Sequence, residues 1–221
     1  MPFTLVFADN TLLVLDKPSG LLSVPGKGED KQDCLSRRVQ AQFPDALVVH
    51  RLDMATSGLM VMARGPVAQR TLSDAFANRQ VQKCYRAVVD RVAAQTQQPW
   101  QMIDLPIALH WPQRPLRHID TVTGKPSQTE WQVDSATPRN HGVQFDTGRP
   151  YTRVVLKPIT GRSHQLRVHL AAIGHPILGD TLYAPIEVQT RSARLLLHAS
   201  SLTLTHPATG QTMQFDSSSP F

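Results

Sequence analysis

Cysteine is scarce in this chain: Cys34 and Cys84 stand far apart among 221 residues, with no CxxC pair. That spacing excludes a disulfide framework and fits a reducing compartment. No apolar run approaches the roughly 20 residues of a membrane span, and Met1-Pro2-Phe3-Thr4 opens with neither a charged region nor a long apolar stretch. A soluble, cytoplasmic protein outside the membrane is therefore expected. Metal-ligand spacing is also missing. His164 and His169 are off the i, i+4 spacing that puts two ligands on one helix face, and the cysteines are isolated, so no metal is expected. Internal repeats and low-complexity linkers are absent too.

Acidic residues are in deficit, with 17 Asp+Glu against 23 Lys+Arg and a formal net charge of +6. The surplus favours a polyanionic partner such as nucleic acid, although the arginines are scattered and form no tail. With 41% hydrophobic residues the chain can bury a sizeable core and is not disordered.

The apolar runs place the elements. Leu5-Val6-Phe7-Ala8 and Thr11-Leu12-Leu13-Val14-Leu15, split by Asp9-Asn10, read as a hairpin closed by the turn Lys17-Pro18-Ser19-Gly20. Residues 30–43 read as a helix capped by Asp30 or Asp33, with Leu35, Val39 and Phe43 on one face and Pro44 as the stop. A second helix is expected over Pro66–Phe76 with Val67, Leu72, Ala75 and Phe76 inward, and a strand over Val81–Val89. Residues 93–99 and 134–150 read as exposed loops, and 104–133 as short apolar runs broken by prolines. Within these runs Trp111 lies near Arg114, either as a loop anchor or as a contact for unstacked nucleotides. Tyr151–Leu156 reads as a strand, followed by a helix opening at Gly161 with Leu166, Leu170 and Ile173 at i, i+4, i+7. Leu195–His198, Leu202–Thr205 and Met213–Phe215 read as closing strands, with a turn over Pro207–Gly210. Adjacent hairpins with about three helices define an α+β domain on a mixed, largely antiparallel sheet.

One polar stretch stands between two buried runs. His50-Arg51-Leu52-Asp53-Met54-Ala55-Thr56-Ser57-Gly58 follows Val48-Val49 and precedes Leu59–Ala63, so it is a loop held by two strands. Asp53, two residues from Arg51, is either a brace for the loop backbone or an ionised carboxylate partly denied its water. By the residues alone Tyr85 reads as a half-buried strand tyrosine, and Arg167 as an arginine snorkelling from an apolar helix face.

The string HRLDMATSG resembles the signature of the RluA family of pseudouridine synthases. Leu15-Asp16-Lys17-Pro18-Ser19-Gly20-Leu21, Lys83-Cys84-Tyr85 and the stretch from Leu156 to Tyr183 are similar to further family blocks in family order. The resemblance implies a single catalytic domain over residues 1–221, with the α+β sheet around a central catalytic cleft and no N-terminal S4 domain. It makes Asp53 the nucleophile, puts Tyr85 on the face of the target base with its hydroxyl as general base, and pairs Arg167 with Asp53. Arg51, His50, Leu166 and Lys17 fall on the RNA and base side. Arg51 holds the flipped nucleotide or fills its place, Leu166 floors the base, and Lys17 meets a phosphate. No cofactor is required. The match through the Trp111 region implies 23S rRNA together with a tRNA anticodon stem-loop as substrates, with another rRNA uridine as the alternative and a monomer as the working form. Outside this class stand a hydrolase, with Asp16, Asp104 or Asp180 as a second carboxylate, and a non-catalytic RNA-binding protein.

Overall fold

The computed structural model describes residues 3–91, 99–111, 113–134 and 145–221. The loops expected at 93–99 and 134–150 lie largely outside that set. The chain forms two compact units, one of Met1–Lys83 with His198–Ser218, the other of Cys84–Leu197 with Ser219–Phe221.

In the first unit, β1 (Thr4–Ala8) and β2 (Leu12–Lys17) form the expected antiparallel hairpin. Its corner is an Asx turn, in which Asp9 Oδ1 accepts the N–H groups of Thr11 and Leu12 at 2.7 and 2.9 Å. β4 (Ser57–Arg64) runs antiparallel to β2 and carries the short β3 (Ala46–Val48). β11 (Leu197–Thr205) joins β4 in parallel through His198 opposite Ser57 and Ala199 opposite Gly58, and β12 (Thr212–Asp216) closes antiparallel on β11. Leu12, Val14, Leu59, Val61, Ala63, Leu202 and Leu204 make one sheet face, covered by Ala68 and Leu72 of α2 (Pro66–Ala77). Burial of one such Leu side chain stabilises by about 1.5–3 kcal/mol.

Two expectations need correction here. The helix expected over 30–43 contracts to α1 (Leu35–Gln40) behind a 3-10 turn at Glu29–Lys31. Neither Asp30 nor Asp33 caps it. The N–H groups of Leu35 and Ser36 donate instead to the carbonyls of Leu22 and Ser23, at 2.8 and 3.1 Å, while Cys34 is held extended beside Leu22. A distant backbone thus supplies the cap, and Asp33 pairs with Arg38. In α2 the inner face is Ala68 and Leu72 with Ala75 and Phe76, whereas Val67 is 81% exposed.

In the second unit β5 (Gln82–Asp90), β10 (Tyr151–Pro158), β9 (Gln128–Val133) and β6 (Gln101–Asp104) pair in that order, all antiparallel. A separate hairpin joins β7 (Ile107–Leu109) to β8 (Arg117–Ile119). α3 (Gln165–Ala172) is buried from Gln165 through Leu170, and a short α4 (Ile186–Gln189), not foreseen from sequence, follows. α3 opens at Gln165, not at Gly161. Gln165 Oε1 accepts from the Arg162 N–H and the Thr160 hydroxyl, at 3.0 and 2.7 Å, and its Nε2 donates to Gln128 O and Thr129 Oγ1 at 2.9 and 3.0 Å. These four bonds fix residues 160–164 as a turn, and His164 takes the left-handed conformation at φ 58°. The runs at Leu195–His198 and Leu202–Thr205 merge into the single strand β11, with Leu195 and Leu196 ahead of it. The architecture is the mixed α+β class with a largely antiparallel sheet.

Candidate active site

The polar loop of the first unit is braced from below by the turn that follows β2. Lys17 is wholly buried, and its ammonium donates to the carbonyls of Pro18, Leu21 and Met54 at 2.9, 2.7 and 3.1 Å. The Ser19 hydroxyl donates to Ala55 O at 2.7 Å, and the Gly20 N–H to Met54 O at 2.8 Å. Ser23 Oγ donates to Leu52 O at 2.7 Å and accepts the Leu52 N–H at 3.1 Å. Leu52, Met54 and Ala55 thus each have a backbone group tied to the 17–23 turn. Asp53 itself closes a tight turn, its carbonyl accepting the Thr56 N–H at 3.1 Å. Leu52 is buried, Asp53 is half-buried, and Arg51 and Met54 are exposed. The loop backbone is fixed while Arg51 and Asp53 stand at its surface.

Two residues expected to meet RNA are part of this foundation. Burial leaves Lys17 no surface for a phosphate, and its ammonium donates to backbone carbonyls instead. His50 stacks on Phe76 with ring centroids 4.2 Å apart, and its Nε2 accepts the Val61 N–H at 2.9 Å. Burial pushes the His50 pKa down to about 3, with the charge of Lys83 adding to the effect, so the ring is a neutral structural acceptor at physiological pH.

Past the loop, the close approach of β11 demands the glycine of the motif. Gly58 has φ 109°, and a Cβ there would lie 2.3 Å from the carbonyl oxygen of Ala199. Next to it runs a polar chain, buried at Ser57 and His198 and half-buried at Ser217 and Asp16. Ser57 Oγ bonds His198 Nδ1 at 2.9 Å, His198 Nε2 bonds Ser217 Oγ at 3.0 Å, and the Ser217 hydroxyl donates to Asp16. It ties the loop's exit to β2, β11 and the segment after β12.

In the second unit Tyr85 sits half-buried on β5 opposite Leu156, and Leu166 is buried at the start of α3. Arg167 is buried and bidentate with Asp180, Nε to Oδ2 at 2.8 Å and Nη2 to Oδ1 at 2.5 Å. Asp180 Oδ1 also accepts the N–H groups of Leu182 and Tyr183 at 3.0 and 3.2 Å. The guanidinium lies 5.1 Å from the centre of the Tyr183 ring. The Tyr183 hydroxyl bonds His164 Nδ1 at 2.6 Å and accepts the Arg117 N–H at 3.0 Å. Asp180 and Tyr183 therefore fix Arg167 from two sides. Sequence reasoning missed them as its partners, although an arginine inside an apolar helix face was itself a signal that a carboxylate must accompany it.

The carboxylates considered for a hydrolase are already engaged. Asp180 holds Arg167, Asp16 accepts from Ser217, and Asp104 accepts the Gln128 amide at 2.8 Å.

The fold presents a half-buried aspartate on the HRLD turn, with an exposed arginine two residues before it, on an α+β scaffold of largely antiparallel strands, an arrangement compatible with the pseudouridine-synthase class that the motif resembles. The family model described as RNA pseudouridylate synthase matches residues 11–172, and the chain belongs to that family. It is 46% identical over 217 residues to the dual-specificity RNA pseudouridine synthase RluA of Escherichia coli (strain K12), covering 98% of this chain and 93% of that protein. It is 47% identical over 216 residues to the enzyme of the same name from Yersinia pestis, covering 98% of both. Among solved structures, human RNA pseudouridylate synthase domain containing 1 matches with TM-score 0.78 and 28% identity over 99% of this chain and 84% of its own. Domain containing 4 gives 0.72 and 26%, over 98% and 88%. The chain is an RNA pseudouridine synthase.

Proposed function

We propose that the enzyme isomerises particular uridines of 23S rRNA and of a tRNA anticodon stem-loop, with Asp53 as its nucleophile. The observation that carries the nucleophile is the fixed turn that presents a half-buried Asp53 while Lys17, Ser19 and Ser23 brace the neighbouring backbone. The substrate pair is supported by the words "dual-specificity" in the names of relatives that match almost the whole chain. Another rRNA uridine is the alternative substrate for the same chemistry.

The target uridine leaves its stack, because its glycosidic bond is shielded within a folded stem or stacked loop. Arg51, exposed two residues before Asp53, holds the flipped nucleotide or fills the space it leaves. Asp53 acts at ribose C1′, at pyrimidine C6, or in elimination across C1′ and C2′. In each route the C1′–N1 bond breaks, the enclosed uracil turns, and a C1′–C5 bond forms. The C5 proton departs and N1 ends protonated, so the product is an isomer. Tyr85 packs on the uracil face, with its hydroxyl as the general base for that proton, and Leu166 supplies apolar floor. Arg167 is the cationic partner of Asp53; a guanidinium beside a carboxylate favours its ionised form. No cofactor enters the scheme, and a cytoplasmic monomer working on RNA is its setting.

The test is pseudouridine formation on tRNA and 23S rRNA transcripts by wild type and Asp53→Asn, with sites mapped by a carbodiimide-dependent primer-extension stop. Wild type is expected to modify discrete uridines without releasing uracil, and Asp53→Asn to bind but not convert. Conversion by Asp53→Asn at the wild-type rate would remove Asp53 as nucleophile, and modification of other uridines alone would replace the substrate pair.

A further inference from the structure

We propose that Trp111 and Arg114, at the tip of the β7–β8 hairpin, form a stacking platform for one unpaired nucleotide of the RNA substrate. The proposal rests on the synthase reading and names a contact that selects RNA. Trp111 is 67% exposed, and the Arg114 guanidinium carbon lies 3.3 Å from the centre of its ring. The chain's other tryptophans set the contrast. Trp131 is buried in β9, whereas Trp100, 36% exposed, carries the ammonium of Lys157 4.0 Å from its ring centre. Both exposed indoles thus bear a cation.

A tryptophan that merely anchors a loop is buried against what it anchors. Trp111 is not, and the hairpin is closed by other bonds. The His110 N–H donates to Leu116 O at 3.0 Å, the Leu116 N–H to Gln113 O at 2.9 Å, and the Arg117 N–H to the Tyr183 hydroxyl at 3.0 Å. The segment from Leu109 to Ile119 contains no acidic residue and carries Arg114 and Arg117. With Arg114 on one ring face, the exposed remainder of the indole is available to a base. The guanidinium adds attraction for the flanking phosphates. A duplex cannot use such a platform, because its base faces are already stacked; an unpaired loop nucleotide can. The chemistry therefore selects RNA that offers an unpaired nucleotide, as a stem-loop does.

The test compares wild type, Trp111→Ala and Trp111→Phe on a stem-loop transcript that wild type modifies, and on a fully paired RNA of the same length. Trp111→Ala is expected to raise KM and Kd for the stem-loop roughly 5- to 150-fold, the range that loss of one base–aromatic stack gives. Its kcat stays within about twofold, its duplex binding is unchanged, and Trp111→Phe keeps most of the affinity. Addition of stem-loop should quench tryptophan emission in wild type and much less in Trp111→Phe. Unchanged stem-loop affinity in Trp111→Ala, or equal loss on the duplex, overturns the platform. Unchanged KM with a lowered Tm makes the pair a hairpin brace and overturns it as well. Should wild type convert no uridine in any RNA, the synthase reading fails, while binding and quenching still decide the platform.

Discussion

Replacing Lys17 by methionine separates a scaffold lysine from a phosphate-binding one. Methionine is similar in length and fits an apolar slot, but it cannot donate to the carbonyls of Pro18, Leu21 and Met54. A buried acceptor left without a partner costs about 1–3 kcal/mol. The losses do not sum over all three carbonyls, since Met54 O keeps the Gly20 N–H and removing the ammonium also removes the cost of burying a charge. A net destabilisation of about 3–5 kcal/mol follows, a large share of the roughly 5–15 kcal/mol that holds a native protein together. For a chain of this size each kcal/mol lowers Tm by about 2–4 °C, so the variant should melt on the order of 10 °C below wild type. Because Met54 adjoins Asp53, kcat on a modified transcript should fall at a temperature where the variant is still folded, with little change in KM. Calorimetry and single-turnover assays on the same preparation decide it. An unchanged Tm with a raised KM would show Lys17 contacting RNA and refute the reasoning.

Other perturbations probe other parts of the scaffold. Gly58→Ala should destabilise by about 2–4 kcal/mol in urea unfolding, because the new methyl meets Ala199 O at 2.3 Å and the positive φ is costly for alanine; a loss below about 1 kcal/mol would mean that β11 yields easily. The His50 ring should stay neutral by NMR from pH 8 to near pH 4. Its folded pKa of about 3 lies below the unfolded value of 6.5, so this group's stabilisation is complete above pH 6.5 and declines as pH falls toward 3; a midpoint near 6.5 in the folded protein would contradict the burial argument. Tyr183→Phe leaves the Arg117 N–H and His164 without their hydroxyl partner while the ring under Arg167 remains. A loss of about 1–2 kcal/mol is expected, together with a lower kcat, and wild-type stability and rate would show that the hydroxyl holds nothing in place.

The sequence by itself determined much of this enzyme, because several of its signals are local. Alternation and turn chemistry placed the β1–β2 hairpin, the strands flanking HRLD and the helix at Pro66, since pleat, proline geometry and apolar periodicity act over a few residues. The motif string picked out the family for the same reason. Only tertiary structure decided which polar groups build the loop and which face outward. Lys17 and His50 carry the same side chains whether they meet a phosphate or a buried carbonyl and amide, and the difference lies in strands and turns far along the chain. The start of α1 depends on the carbonyls of Leu22 and Ser23, and that of α3 on the Gln165 bonds to Gln128 and Thr129. Arg167 likewise gains its carboxylate from Asp180 and its aromatic neighbour from Tyr183. Satisfying a buried polar group is a three-dimensional requirement, and the partner that meets it leaves no periodic trace in the chain.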